Sequence, residues 1–557
     1  MFKKISKYLF IGIFRFIYFL PVLAIVIFLT FLFGHKILGP YLVGSDNANF
    51  VTLADWLLKW FPKIPFWFPQ EGGGMSITTS YPILNQLIVV VLQKLTNIPI
   101  VVVFRIWSLI TVVLTSMGLY LLTFRLTKNQ TIAAISAIFY PLMPITWIFL
   151  LMWGFAAEQL SLIFVPPVLI FAPLFLDEYY LNGLTKKAKI YFLIFLITVA
   201  ILPIAHPMMF IGVLVFIFVL FIVYPIIVLR ESKVKLKKLV ILDLVVMVII
   251  IFATLYWTIP FISYQSNVNK GAPVEAEIYN RNVYLQNGIY PISVFNISDE
   301  SAGYIDYTTT PRNISGWAWR NVSFPFIISV LALIGLIGSF FLNRKVFAFG
   351  IANLVPLAIA VFPKIDFIFL KFPLSGFILN WRAGILMSRF IIPLLAGFGC
   401  YVLAYLFTFP LNLLSKWLKN SFLSFSLRSL FVLMSGVLSL VIAGVLLWNF
   451  KSWPFNNPNF LLSLGTEVVV PSERMDLRNI WRDGPGDPCY GGGVLPTKDN
   501  KFPLFCQNIP FQEHFLAGKL GEECSKFSVK DVEIPSDIVS LCSFNPDEET
   551  VLRIYKK

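Results

Sequence analysis

From Phe14 onward the chain is built of apolar runs close to twenty residues long, parted by short polar stretches that hold many of its lysines and arginines. Runs of this length match the ~20 residues that a helix needs to cross the hydrocarbon core of a bilayer. None alternates apolar and polar positions as a barrel strand does. Only helices and closed barrels satisfy their backbone in lipid, so the pattern predicts helices. The predicted spans are roughly 14–33, 100–123, 131–150, 160–176, 189–205, 208–229, 240–260, 326–342, 346–362, 385–409 and 430–450, about 11 crossings in an all-α polytopic membrane protein. The first run is too long for a signal core and has no convincing small-residue cleavage site, so it is expected to stay as a helix.

Basic residues in short loops stay on the cytoplasmic side. With Lys3, Lys4 and Lys7 inside, each inner connection is basic: Arg125 and Lys128; Lys186, Lys187 and Lys189; Arg230 to Lys238; Arg344 and Lys345; Lys416, Lys419 and Arg428. This orientation puts the amino terminus in the cytoplasm and residues 451–557 outside a plasma membrane. The outer loops are long, at 34–99, 261–325 and 363–384, and belong with the spans to a membrane domain at 1–450. Within the first loop, Phe50, Leu53, Leu57, Trp60 and Phe61 recur at helical spacing, which predicts an amphipathic helix over 49–61 on the outer surface. Pro82 to Thr96 holds Asn85, Gln86, Gln93 and Lys94 and reads as a second interfacial helix rather than a span.

Composition changes this picture only in places. The net charge of +15 divides into about −3 after Phe450 and about +18 before it. The positive excess therefore belongs to the membrane part, where inner-loop charge meets anionic headgroups, and gives no support to a nucleic-acid partner. Cys400 lies in an apolar run, whereas Cys489, Cys506, Cys524 and Cys542 fall in the tail. An even set in a small extracytoplasmic domain points to two disulfides, with three connectivities open. Short stretches such as "EVVV", "KFSV" and "TVLRIY" predict that this domain is β-rich.

Candidate chemistry concentrates at the outer boundary. Asp46 in "GSDNANF" follows the first span, Glu158 in "WGFAAEQL" lies between the third and fourth, and His206 in "AHPMMF" sits at the next outer turn. Glu71 precedes three glycines, and Tyr81 and Trp319 are outer-loop aromatics. Arg382 and Arg389, seven residues apart, share nearly one face at the outer end of the tenth span. Arginine at such a depth is costly, and phosphate is a natural partner for its planar fork. Each residue also has a plain alternative. Asp46 would cap a helix, Glu158 would be a solvated loop residue, His206 would be structural, the arginines would snorkel to headgroups, and the aromatics would anchor at the interface.

The cytoplasmic amino terminus, the large first outer loop with its early acid, the "SYPILNQL" and "AHPMMF" segments, "RAGILMSRFIIPLLAGFG" and the trailing outer domain together resemble the GT-C superfamily of integral membrane glycosyltransferases. They also resemble its bacterial and archaeal members labelled as related to 6-pyruvoyl-tetrahydropterin synthase, a label that implies no pterin chemistry. The resemblance covers roughly residues 10–450. It implies a GT-C-like fold and transfer of a sugar from a polyprenyl-phosphate donor to a glycan, lipid or protein acceptor at the outer face. Asp46 matches the first-loop acid and would be the base, and Glu158 matches the acidic region of the second outer loop. Arg382 and Arg389 would bind the donor phosphate. Some relatives use a divalent metal such as Mg or Mn, for which Glu158 and Glu71 are the spare acids; His206 and Tyr81 are further substrate contacts. The first loop lacks an Asp-x-Asp pair.

Two other functions compete: a transporter or flippase for a lipid-linked saccharide, and a non-catalytic membrane scaffold. Transporters carry acids or broken helices at the midplane and often internal repeats. Here Asp243, near the inner end of the seventh span, is the main acid away from the outer boundary, and no repeat is evident.

Overall fold

The computed structural model describes residues 19–38, 41–42, 45–64, 67–68, 75–76, 82–147, 150, 156–229, 236–268, 326–361 and 381–417, with isolated positions at 430–444 and 470–471. The expectations for the eleventh span, most of the tail and the outer loops 261–325 and 363–384 fall largely outside these residues. Among them the chain is nearly all helical. Two antiparallel ladders of two-residue strands are the exception: Tyr41–Leu42 with Val470–Pro471, and Trp67–Phe68 with Met75–Ser76.

In chain order the helices are α1 (Phe19–Gly34), α2 (Ser45–Trp60), α3 (Leu84–Thr96), α4 (Ile100–Thr127), α5 (Gln130–Leu142), α6 (Pro144–Trp147), α7 (Ala156–Ser161), α8 (Val165–Asn182), α9 (Lys186–Ala205), α10 (Pro207–Tyr224), α11 (Leu236–Val268), α12 (Phe326–Leu342), α13 (Arg344–Val361) and α14 (Trp381–Trp417). Among the described residues, six helices are long and apolar enough to cross a membrane by length and composition, with α7 and α8 counted as one.

Local chemistry explains where these helices begin and end. Asn129 accepts from the backbone N–H groups of Thr131 and Ile132 and caps α5, and Thr185 caps α9 by accepting from Ala188 N–H. The third expected span is broken, because Met143 takes an extended conformation (ψ 124°) ahead of Pro144. That is the geometry a residue before proline favours. Between α7 and α8 the chain tightens into a 3-10 turn at Leu162–Phe164. Pro166 and Pro167 follow, and they have no N–H to return to the carbonyls one turn back. The helix in the first loop starts at Ser45, four residues earlier than its periodicity indicates. Helix α3 has 13 residues, about 20 Å at 1.5 Å per residue, which is short for a bilayer.

Helix α14 organises the bundle. It packs along α12, α13, α5 and α10, and every residue from Ala383 to Cys400 is buried. Two glycines permit this. A Cβ on Gly335 of α12 would meet the Leu395 carbonyl, and one on Gly399 of α14 would meet the Leu331 carbonyl, so the two backbones touch. Close small-residue contacts of this kind replace the hydrophobic drive that lipid removes. At the far end of α8, Asp177 accepts from Lys345 Nζ at 2.8 Å and from the Tyr224 hydroxyl at 2.9 Å, which ties α8, α13 and α10 together.

Candidate functional site

The "AHP" segment is the tip of a helical hairpin. The His206 N–H closes α9 on the Leu202 carbonyl at 2.8 Å, and the His206 carbonyl accepts from Phe210 N–H at 3.1 Å to open α10. Pro207 stands at the first turn of α10, where a missing N–H costs nothing. The extended backbone of His206 (φ −167°, ψ 122°) turns its ring toward α7. There Nε2 lies 3.4 Å from Glu158 Oε1, with side-chain exposures of 12% and 1%. Glu158 is thus not a solvated loop residue: it is buried in a helix and reaches the histidine at the hairpin tip. The contact is longer than a tight charge-assisted hydrogen bond, and it becomes an ion pair when His206 is protonated.

The neighbouring Gln159 joins four helices. Its Oε1 accepts from the Tyr140 hydroxyl and from Arg389 Nη2, both at 3.1 Å. Its Nε2 donates to Thr115 Oγ1 at 3.4 Å, and the Thr115 hydroxyl donates to the Thr111 carbonyl at 2.8 Å. Tyr140, Gln159, Thr115 and Arg389 are all fully buried. The amide direction is therefore set by its partners: oxygen toward the cation and the phenol, nitrogen toward the threonine. Snorkelling does not describe Arg389, whose side chain is enclosed by protein.

The start of α2 is tied to this region, since Asn47 Nδ2 donates to the Leu150 carbonyl at 2.9 Å, eight residues before Glu158. Asp46 is the second residue of α2, in the turn where a carboxylate also complements the helix dipole. Arg382 is the second residue of α14, seven before Arg389. The side chains of Asp46 and Arg382, and the whole of Glu71, Tyr81, Trp319, Cys489, Cys506, Cys524 and Cys542, lie outside the described residues. The structure brings together Glu158 with His206, and Arg389 with Gln159. Sequence reading missed Gln159 and Tyr140, which carry no charge to draw attention, and Arg105, which does. Arg105 lies five residues inside the apolar run of α4, and a cation within a span is itself the signal.

Among the described residues no group of three His, Cys, Asp or Glu side chains could hold a metal ion. Glu158 supplies the carboxylate oxygen that Mg or Mn prefers, whereas the His206 imidazole suits softer metals, and together they fall short of the six oxygen-rich positions of such a site.

No family model matches the chain, and no curated protein does. Solved structures do. The archaeal oligosaccharyltransferase AglB from Archaeoglobus fulgidus, in complex with an inhibitory peptide and a dolichol-phosphate, matches with a TM-score of 0.43 at 14% identity over 76% of this chain and 55% of that one. The Archaeoglobus fulgidus oligosaccharyltransferase tethered with an acceptor peptide containing the NVT sequon gives 0.43 at 15% identity, over 79% and 58%. The same enzyme in complex with Zn and sulfate gives 0.42 at 15%, over 75% and 53%. The chain thus spans a little over half the length of these proteins.

Proposed function

We propose that the protein is a membrane glycosyltransferase that moves a sugar from a polyprenyl-phosphate-linked donor to an acceptor at the outer membrane face. The observation that carries this reading is Arg389, a guanidinium fully buried in a membrane helix and held by an amide, beside an acid–imidazole pair at a helical hairpin tip. A cation so placed costs several kcal/mol and is retained where an anion has to be bound. The acceptor hydroxyl oxygen attacks the anomeric carbon and its proton passes to the Asp46 carboxylate. The bond from that carbon to the phosphate oxygen breaks, and the electron pair leaves on the phosphate. Arg389, with Arg382 two turns earlier on the same helix, stabilises the charge that develops there. Glu158 and His206 contact the sugar or the acceptor. Tyr81 and Glu71 complete the substrate surface from the first loop.

The donor tail has an apolar seat in a groove of about 310 Å³ between α12, α13 and α14, lined by Leu333, Leu336, Leu354, Leu357, Ile392 and Leu395. Ile392 is one turn beyond Arg389, so a lipid lying there would carry its phosphate toward the guanidinium. Asp243, 2% exposed within α11 and with Oδ1 lacking a hydrogen-bond partner among the described residues, favours the transporter or flippase alternative, because unpaired intramembrane acids serve ion and proton coupling.

The test measures transfer of radiolabelled sugar from a panel of polyprenyl-phosphate donors in membranes holding equal amounts of wild type, Asp46→Asn or Arg389→Gln. Incorporation by wild type and a loss of at least a hundredfold in either variant is expected. Equal incorporation in wild type and Asp46→Asn would remove that residue from the mechanism. Wild-type membranes that incorporate nothing yet move a lipid-linked saccharide between leaflets would establish the alternative.

A further inference from the structure

Arg105 stands apart from the site around Arg389. It lies in the second turn of α4, is 5% exposed, and its Nε and Nη2 are buried without a hydrogen-bond partner among the described residues. Snorkelling does not account for it. The lipid-side row of α4 is Val102, Ile106, Ile110 and Leu114, each more than a third exposed, and Arg105 lies off that row. Leu109, one turn further on, and the Trp147 ring both lie against Gly34. Arg105, one turn before Leu109 on the same side of the helix, is thus on the side of α4 that meets the end of α1, and the His35–Leu38 turn and α2 also contact α4. Asn47, through its bond to the Leu150 carbonyl, ties α2 to the segment after Trp147.

The two unpartnered nitrogens are informative. Nε–H and one N–H of Nη2 point the same way, along the side edge of the guanidinium, and together they fit two oxygens of one oxyanion. An uncompensated cation inside a protein costs several kcal/mol, so its persistence needs a partner supplied from elsewhere. Arg105 lies about 7 Å along α4 from its start, at 1.5 Å per residue, so an oxyanion reaching it sits below the membrane surface. A group delivered to that depth is carried by an apolar tail. The Thr115 hydroxyl of the Arg389 network is ten residues further along the same helix, about 15 Å away, too far for one phosphate to bridge both cations.

We infer that Arg105 forms a second anion site, which takes the phosphate of a membrane lipid side-on at the junction of α1, α2 and α4, separate from the site at Arg389. The inference concerns binding and stands whether or not transfer is found.

Its test uses the full chain in phosphatidylcholine nanodiscs, titrated separately with a polyprenyl phosphate and with phosphatidylglycerol, with bound lipid counted by native mass spectrometry. Arg105→Met is expected to weaken binding of one or both lipids at least tenfold while raising the thermal midpoint, because an apolar chain replaces a buried unpaired charge. Arg105→Lys keeps the charge but loses the side edge, and is expected to fold and to bind at least fivefold more weakly. A response to polyprenyl phosphate alone identifies a carrier-lipid site, and a response to phosphatidylglycerol identifies a headgroup site. Wild-type affinity for both lipids in Arg105→Met, or a wild type that binds neither, would overturn the inference.

Discussion

At the scale of single residues, the informative neighbours are Glu158 and Gln159. One carries a charge and meets an imidazole; the other is neutral and meets a guanidinium. A neutral acceptor holds Arg389 in place without cancelling its charge at that contact, whereas a carboxylate there would compete with an incoming phosphate. Gln159→Glu is nearly isosteric; it makes the acceptor facing Arg389 a charged one and turns the long Nε2 bond to Thr115 into a second acceptor position, which the Thr115 hydroxyl can meet by rotating. It should leave thermal stability unchanged or raised, yet weaken polyprenyl-phosphate binding at least tenfold. If the network serves only packing, binding will be untouched. Gln159→Leu would remove the acceptor that the Tyr140 hydroxyl and Arg389 Nη2 share, at about 1–3 kcal/mol for each buried bond lost, and should lower the melting temperature, while the Thr115 hydroxyl keeps its bond to the Thr111 carbonyl. The charges at 158, 206 and 389 were legible in the sequence because ionisable groups are conspicuous in an apolar chain. The amide and the phenol between them were not, since Gln and Tyr are unremarkable until a fold surrounds them.

At the scale of elements, α14 carries Arg389 into the bundle, and its position depends on backbone contact with α12. Replacing Gly399 with Leu would drive a side chain into the Leu331 carbonyl. The cost is roughly 3 kcal/mol or more, above the usual range for overpacking because the obstacle is backbone. The expected result is a large loss of folded protein in detergent extracts measured by size-exclusion chromatography. Normal yield and melting behaviour would show that α12 and α14 can separate at no cost. Helix existence was readable from run length, and α3 was readable as a helix set apart by Asn85, Gln86, Gln93 and Lys94. Helix ends were less so: the break at Met143 and the 3-10 turn after Ser161 come from prolines at 144, 166 and 167, whose effect depends on which carbonyl each one leaves without a donor. The hydrogen bonds from Tyr224 and Lys345 to Asp177 illustrate the same limit, because three unrelated segments supply one cluster.

At the scale of the whole molecule, the basic inner loops predict which ends of the helices face the cytoplasm. Glu158 and His206 share one end of the bundle, while Asp177 and Lys345 share another point about 28 Å along the α7–α8 segment, taking the 19 residues from Glu158 to Asp177 at 1.5 Å each. In this orientation an impermeant maleimide applied to intact cells after mild reduction is expected to label the tail cysteines, and a cysteine placed at Lys187 to be labelled only after permeabilisation. Cys400, buried in α14, should stay silent in both. Labelling at position 187 in intact cells would invert the topology and move the proposed reaction to the other face.

The sequence alone determined that the chain is helical with several runs long and apolar enough to cross a membrane, and where its longest helices run. It could do so because lipid imposes length and polarity locally, residue by residue. Only the tertiary structure decided that Glu158 reaches His206, that Gln159 holds Arg389, and that Arg105 turns inward rather than toward headgroups. Those facts depend on the rotation of each helix about its axis and on its neighbours. Both are settled by backbone contacts such as Gly335 with Leu395, between residues far apart in the chain and with no signature in either run alone.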